Sequence, residues 1–234
     1  MIDIVLFYAN LHIMIPIENR RGLIERKGQE DVTGRIIGFG GRTLDNNPAK
    51  YLNSPATPLF DKSNSIYGID KARHSIVSSG TVVVVEGYMD VIALHQVGID
   101  TAIAALGATL TSAQAQQLRR LEVETVYLAF DADAAGLRAV KHAAELMLTR
   151  GMDVKVARLP DGEDPADIIA HDAPRFKRVI AEATHVIEFL LTTLKTIARD
   201  ERSYKLRVRD EVIPYLIHLQ SHIEREHFAG IIAA

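Results

Sequence analysis

Runs of apolar residues alternate with amphipathic segments in the middle of the chain. Continuous Val-, Ile- and Ala-rich runs are typical of strands that are buried on both faces. The segments between them are long enough for helices, and this alternation predicts βαβ units with a parallel sheet. The predicted strands are Thr81–Val85, Thr101–Ala105, Thr125–Phe130 and Val154–Arg158. The predicted helices are Asp90–Val97, Ser112–Leu121 with Thr111 as its cap, and residues 135–150.

The two flanking regions have different patterns. The first is rich in Gly, Asn, Pro and Arg, with strand-like pieces at His12–Ile17 and Arg35–Phe39. Between these pieces, the polar segment Gly28–Thr33 predicts a loop or a hairpin tip. The last region carries apolar residues at helical spacing and is expected to be helical throughout, with an interruption at Pro214. We therefore predict a partial α+β subdomain over 1–78, an α/β domain over 79–172 and a small helical subdomain over 173–234.

Carboxylates follow two of the predicted strands. Glu86 and Asp90 come after the first strand, on either side of a turn that contains Gly87, and Asp131 and Asp133 come after the third. The carboxyl ends of parallel strands share one edge of a sheet, where ligands bind. Carboxylates forced together there repel one another and lose their charge unless a cation compensates. We interpret the cluster as a site for Mg²⁺ or Mn²⁺, used on phosphate chemistry.

A third acidic stretch, Asp161–Asp167, follows the fourth predicted strand and contains Asp164. Simpler explanations exist for each group: Asp90 can favour a helix N-terminus, Asp131-Ala-Asp133 can form a capping turn, and the third stretch can be a plain acidic loop. Three strands that all end in acids favour a joint site. Two divalent ions there can clamp the attacking and leaving oxygens of a phosphoryl transfer.

Basic and aromatic residues precede the acidic region. They are Arg42, Lys50, Tyr51, Asn53 and Lys62. Arg and Lys neutralise phosphates, Tyr can stack on a base, and Asn can hydrogen-bond a base or a sugar. The alternative is a solvated loop of ordinary composition. Next to the acidic cluster, these residues favour a nucleotide and a nucleic-acid strand as substrates.

Composition excludes several classes. The chain has 234 residues, of which 47% are hydrophobic, as expected for a globular protein with a core. It has no Cys, which excludes disulfides and Cys-ligated zinc and fits a reducing compartment. The net charge of −3 argues against a protein coated in basic charge but allows a local basic groove. Without a spanning apolar run or a recognisable signal peptide, we expect a cytoplasmic protein with no membrane partner.

Several ordered motifs resemble those of the bacterial DnaG-type primases. Glu86-Gly-Tyr-Met-Asp90 with Asp131-Ala-Asp133 resembles the Toprim signature, which type IA and type II topoisomerases share. Gly38–Arg42, Pro48–Phe60 and Ala104–Thr111 resemble DnaG primases in particular. The resemblance spans roughly residues 12–171. It implies a Toprim catalytic domain over the central region and the synthesis of short RNA primers from ribonucleoside triphosphates on single-stranded DNA, by metal-dependent nucleotidyl transfer during DNA replication.

The same resemblance implies roles for individual residues. Glu86, Asp131 and Asp133 are expected to be catalytic, and Glu86 can act either as a ligand or as a base. Glu86, Asp90, Asp131, Asp133 and Asp164 are expected to hold Mg²⁺ or Mn²⁺, with no zinc in this chain. Arg42, Lys50, Tyr51, Asn53 and Lys62 are expected to bind the nucleotide, the template and the RNA primer. The family often carries Asp-Pro-Asp where this chain has Asp164-Pro165-Ala166-Asp167, which leaves the role of Asp167 open.

Two expectations come from what the family usually has and this sequence does not. DnaG primases normally carry a zinc-ribbon domain before the core and a helicase-binding domain after it. We therefore expect a fragment-like core that lacks both, and with them the family's contact to the replicative helicase. Two other functions stay open: another Toprim enzyme, such as a topoisomerase or a nuclease, and an inactive core that only binds nucleic acid or metal.

Overall fold

A computed structural model describes residues 24–43, 51–105 and 109–233 of the chain. Contacts divide the chain into two compact units, Met1–Asp61 and Lys62–Ala234. The predicted strand His12–Ile17 lies outside the described residues. The three-part division that we expect from the sequence stays a prediction.

The first unit contains a three-stranded antiparallel sheet in the order β1-β2-β3. Its strands are β1 (Ile24–Glu30), β2 (Ile36–Thr43) and β3 (Tyr51–Asn53). The hairpin tip between β1 and β2 is stabilised by Asp31, whose Oδ1 accepts the backbone N–H of Thr33 at 2.8 Å.

The predicted hairpin tip is therefore present but displaced from Gly28–Thr33: it begins after Glu30 and extends to Arg35. Gly28, Gln29 and Glu30 belong to β1 and pair with β2. The side chain of Gln29 is buried and donates a hydrogen bond to Oδ1 of Asn53 at 2.9 Å. The sequence predicted a loop here because this segment is polar. A glutamine that is buried in a strand and bonded to β3 cannot be distinguished by residue type from a glutamine in a turn.

The second unit is built on a six-stranded sheet in the order β4-β6-β5-β7-β8-β9. Its strands are β4 (Ile66–Tyr67), β5 (Thr81–Val85), β6 (Ala102–Ala105), β7 (Thr125–Leu128), β8 (Asp153–Val156) and β9 (Thr184–His185). The four central strands are parallel, whereas the edge strands β4 and β9 are antiparallel to their neighbours. The predicted α/β fold is confirmed. The edge strands were not predicted because two residues carry no periodicity.

The helices of the second unit also follow the predicted alternation. They are α1 (Ile69–Ser79), α2 (Tyr88–Gln96), α3 (Ser112–Arg120), α4 (Ala134–Leu148), α5 (Pro165–Ala181), α6 (Val186–Ile197), α7 (Glu201–Glu211), α8 (Ile213–Leu216) and α9 (His222–Ala233). Thr111 caps α3 as expected, because its side chain accepts the N–H of Gln114 at 3.2 Å. The helical segment is interrupted between α7 and α8, next to Pro214. The region expected to be helical throughout is interrupted by β9, which adds to the sheet.

Helices cover both faces of the large sheet, so the central strands are buried on both sides. Val82 and Val84 of β5 face a core that α1, α3, α4 and α6 complete. Val83 and Val85 face a second core, which α2 and α5 complete. This double burial explains the continuous valine run. Among the described residues, no helix combines the length and the apolar character that crossing a membrane requires.

Candidate metal centre

Glu86 and Asp131 leave the sheet side by side. The strands β5 and β7 are parallel neighbours, with Val84 opposite Leu128, so both chains reach the carboxyl edge together. The backbone N–H of Asp131 donates a hydrogen bond to Oε1 of Glu86 at 3.1 Å. Two of the three acidic stretches are therefore in direct contact.

Asp90 connects the third stretch to the first. It lies in the first turn of α2 and is only 6% exposed. Its Oδ2 accepts the N–H of Gly87 at 3.0 Å, and its Oδ1 accepts the N–H of Ala166, in the first turn of α5, at 3.2 Å. The carboxylate thus holds the N-termini of two helices together at the edge of the sheet.

Asp133 and Asp164 are helix N-caps. Oδ1 of Asp133 accepts the N–H groups of Ala135 and Gly136, each at 2.7 Å, at the start of α4. Oδ1 of Asp164 accepts the N–H of Asp167 at 2.7 Å at the start of α5. The capping explanation is therefore correct for Asp133, whereas the stretch with Asp164 is not a plain acidic loop, because it begins α5. Capping occupies one oxygen of each, and no hydrogen bond between described residues uses the Oδ2 of either.

The carboxylates also lie within electrostatic reach of one another. Burial, followed by repulsion from Asp164 and Asp131, raises the pKa of Asp90 to about 7. Burial, followed by repulsion from Asp164 and Asp133, raises the pKa of Asp131. Burial and the charges of Asp131 and Asp133 also raise the pKa of Glu86, although the hydrogen bond from Asp131 acts against them. Asp131 is the acid that all these couplings share.

The donor set fits divalent cations of the magnesium type. It consists of carboxylate oxygens alone, the ligands that Mg²⁺ and Mn²⁺ prefer. Among the described residues, no positive charge contributes to the raised pKa values of these acids, and a cation would supply that compensation. In the described part of the chain, no three Asp, Glu or His side chains are yet grouped closely enough to enclose an ion.

Two glycines allow the close approach of backbone to carboxylate. At Gly87, a Cβ atom would lie 2.9 Å from Oδ2 of Asp90. At Gly136, a Cβ atom would overlap the carbonyl oxygen of Asp131, so α4 can begin where it does only without a side chain. Gly87 stood out in the sequence, but Gly136 did not. Its signal was a glycine in the first turn of a helix, three residues after a capping Asp.

The residues expected to bind nucleic acid are distributed over both units. In the first unit, Arg42 on β2 pairs with Tyr51 on β3, next to Asn53. Lys50 lies outside the described residues. Lys62 begins the second unit and is exposed. The side chain of Asp167 accepts the N–H of Asp164 at 3.5 Å, which completes the capping box of α5.

Two family models match the chain in succession. A model described as "DNA primase catalytic core, N-terminal domain" matches residues 29–73, and a "Toprim-like" model matches residues 83–169. A solved DNA primase domain from Pseudomonas aeruginosa is similar over 90% of this chain and 67% of its own, with a TM-score of 0.77 and 34% identity. The chain belongs to the DnaG-type primase family. The expected Toprim fold is confirmed by the same findings.

Other members of the family show how much of it this chain represents. The DNA primase of Halalkalibacterium halodurans is 40% identical over 199 residues, which are 83% of this chain and 33% of the relative. The DNA primase of Deinococcus radiodurans is 38% identical over 191 residues, 81% of this chain and 34% of the relative. The chain thus spans about a third of the length of these curated relatives. A DnaG primase catalytic domain solved bound to single-stranded DNA is 32% identical with a TM-score of 0.77, over 90% of this chain and 69% of its own.

Proposed function

We propose that the chain is the catalytic core of a primase, a DNA-directed RNA polymerase that makes short RNA primers on single-stranded DNA from ribonucleoside triphosphates. The observation that supports this most is the coupling of Glu86, Asp90 and Asp131 at the carboxyl edge, where each pKa is raised. Strongly perturbed acids without a cationic partner are typical of sites that bind a metal and act on phosphate.

In this proposal, Glu86, Asp131 and Asp133 are the catalytic residues, and together with Asp90 and Asp164 they hold Mg²⁺ or Mn²⁺. Bound divalent cations supply alignment of the attacking 3′-hydroxyl with the α-phosphate and neutralise charge on the leaving pyrophosphate. The backbone hydrogen bond from Asp131 orients Glu86. Asp90 fixes the starts of α2 and α5, which sets the position of Asp164.

The proposed binding residues for nucleotide, template and primer are Arg42, Lys50, Tyr51, Asn53 and Lys62. Support comes from their residue types and from two solved relatives. One is the primase domain bound to single-stranded DNA; the other is the RNA polymerase domain of Mycobacterium tuberculosis DnaG in complex with double-stranded DNA, which is 30% identical with a TM-score of 0.73, over 92% of this chain and 71% of its own. Such a role places the protein in the cytoplasm, at replication forks.

Primer synthesis on a single-stranded template tests the proposal. We expect labelled ribonucleotide to enter short products with Mg²⁺ or Mn²⁺ and none with EDTA. Asp131→Ala is expected to abolish synthesis. Asp161→Asn is the matched control, because Asp161 is exposed in the neighbouring acidic stretch, and it is expected to be active.

Four results contradict the proposal, and the first three separate the alternatives. Binding of single-stranded DNA without synthesis by the wild-type chain indicates an inactive core. Metal-dependent cleavage of plasmid DNA indicates a nuclease, and relaxation of supercoiled DNA indicates a topoisomerase. Equal synthesis by wild type and Asp131→Ala shows that the activity does not come from this site.

A further inference from the structure

Arg158 lies at the carboxyl edge, just beyond β8, the neighbour of β7 in the sheet. It comes two residues after the end of β8. The N–H of Ala157 donates to the carbonyl of Leu128 at 2.9 Å, which continues the pairing of β8 with β7 up to this point. After Arg158 the chain leads directly into the acidic stretch that contains Asp164. Arg158 therefore leaves the same edge of the sheet as Glu86 and Asp131.

The side chain of Arg158 is held in place by α6. Its guanidinium carbon lies 5.3 Å from the ring centroid of Phe189. Its Nη2 donates a hydrogen bond to Oγ1 of Thr193 at 3.4 Å. Phe189 and Thr193 are four residues apart on α6, one turn of the helix, so together they form a platform for the guanidinium.

In the described part of the chain, Arg158 has no acidic partner, unlike two arginines of α5. Arg175 pairs with Glu163 at 2.8 Å, and Arg178 pairs with Asp172 at 2.9 Å. Within the described part of the second unit, Arg158 forms no ion pair, and the residue is exposed. An arginine that an aromatic ring and a hydroxyl orient, without a carboxylate, keeps most of its N–H donors for a ligand. The planar guanidinium matches the oxygens of a phosphate.

We propose that Arg158 is a phosphate-binding residue at the rim of the acidic edge. The proposal rests on the proposed function only for the identity of the ligand. That ligand is either the backbone of a nucleic-acid strand or the triphosphate of a nucleotide. Phe189 and Thr193 are positioning residues, because they orient the guanidinium and do not themselves meet the phosphate.

Two binding measurements test this role, and neither requires catalysis. The first is the fluorescence anisotropy of a labelled single-stranded DNA at several salt concentrations, in EDTA and in Mg²⁺. The second is calorimetric titration with inorganic triphosphate. Arg158→Ala is compared with Arg120→Ala, which removes an exposed arginine at the end of α3, before β7 begins and hence at the opposite edge of the sheet. Thermal melting checks that the variants fold.

For a strand phosphate, we expect Arg158→Ala to weaken DNA binding about fivefold and to reduce the salt slope by about 0.7, the contribution of one contact to a single strand. For a nucleotide phosphate, we expect about fivefold weaker triphosphate binding and unchanged DNA binding. Phe189→Leu is expected to give a smaller loss on the same probe, because the arginine stays but is less well oriented. Arg120→Ala is expected to leave both probes unchanged.

The inference is wrong if Arg158→Ala and Arg120→Ala have equal effects on both probes, or if the wild-type chain binds neither. The proposed function fails in a different assay. If the wild-type chain makes no primers but Arg158→Ala still weakens one probe selectively, the phosphate site stands and the polymerase activity does not.

Discussion

The two edges of the large sheet treat their carboxylates in opposite ways. At the carboxyl edge, burial and repulsion from neighbouring acids raise the pKa values of Glu86, Asp90 and Asp131. At the amino edge, burial acts on Asp153 in the same direction. There, however, the hydrogen bond and charge of His185, together with the charge of Lys155, outweigh burial, and the pKa of Asp153 is lowered.

The difference shows which acids have a stabilising side-chain partner in the described structure. Nε2 of His185 lies 3.3 Å from Oδ1 of Asp153, so that carboxylate has a hydrogen-bond partner within the chain. Among the described residues, the acids of the carboxyl edge interact with one another and with backbone N–H groups. Their repulsion is a cost to the folded state that an external cation can remove. The interaction at the amino edge is thus typical of a structural role, and the acids at the carboxyl edge are typical of a ligand-binding site.

The strongest test of this comparison replaces one carboxylate at each edge by its amide. Asp131→Asn removes the acid that the couplings at the carboxyl edge share, so we expect Mg²⁺-dependent primer synthesis to fall at least roughly 100-fold. Asp153→Asn changes the same group at the amino edge and is expected to alter activity less than about twofold. Initial rates of primer extension measure both. Similar losses in the two variants would show that activity follows stability, not the metal site.

The next test is a substitution at Gly136, beside the acidic turn. In Gly136→Ala, the new methyl group overlaps the carbonyl oxygen of Asp131, so α4 or the acidic turn must move. We expect a loss of about 1–3 kcal/mol in the free energy of unfolding, measured with urea. We also expect Mg²⁺ to increase that free energy less than it does in the wild-type chain.

Gly230→Ala is the matched control for this change. Gly230 lies in α9, and a Cβ atom there has no heavy atom within 4 Å. Because alanine favours a helix over glycine, we expect this variant to gain up to about 1 kcal/mol. If Gly136→Ala is stabilised to the same extent, the turn does not need the close approach that the structure contains.

Much of this architecture could be predicted from the sequence, but the contacts that join its parts could not. β5 was predicted with its observed bounds, and Thr111 was predicted as the cap of α3. These features depend on residues that are close in the chain. The hydrogen bond from Ala166 to Asp90 joins residues that are 76 positions apart, and no local pattern predicts it.

The missed features have the same physical origin. The role of Gly136 depends on a backbone oxygen that only the fold brings near it. The sequence did not predict the start of α5 at Pro165. The capping Asp164, the proline and Asp167 together have the composition of an acidic loop. No local pattern in the sequence identifies Arg158, because the residues that orient it, Phe189 and Thr193, lie on a helix that is distant in the chain.

The pH dependence of stability follows from Asp90. Its pKa is raised from 3.8 to about 7, so the folded state keeps the proton more tightly than the unfolded state does. Without metal, stability is therefore highest below pH 4 as far as this group is concerned and is lost as the pH rises to about 7, by up to about 4 kcal/mol. Urea unfolding in EDTA from about pH 4 to pH 8 measures the loss, and added Mg²⁺ is expected to reverse it at pH 8.

Asp164→Asn separates this effect from other titrations. Asparagine can still cap α5, but it removes the charge that repels Asp90 most strongly. We expect the pKa of Asp90 to fall and the loss of stability between pH 5 and pH 8 to become smaller. An unchanged pH profile would show that Asp90 and Asp164 are not coupled.

The smallest expected effect is the stability change at the amino edge. The lowered pKa of Asp153 means that its ionised form stabilises the folded state above its ordinary pKa of 3.8, and that this contribution is lost as the pH falls through the lower folded value. Because the carboxylate is 34% exposed, solvent weakens the interaction, and we expect Asp153→Asn to cost less than about 1 kcal/mol at pH 7. Urea unfolding at pH 7 and near pH 3 measures the difference, which should shrink in acid. Since the partner of Asp153 is built into the chain, the cost should also be the same with EDTA and with Mg²⁺, and a cost that depends on the metal would mean that the two edges are not independent.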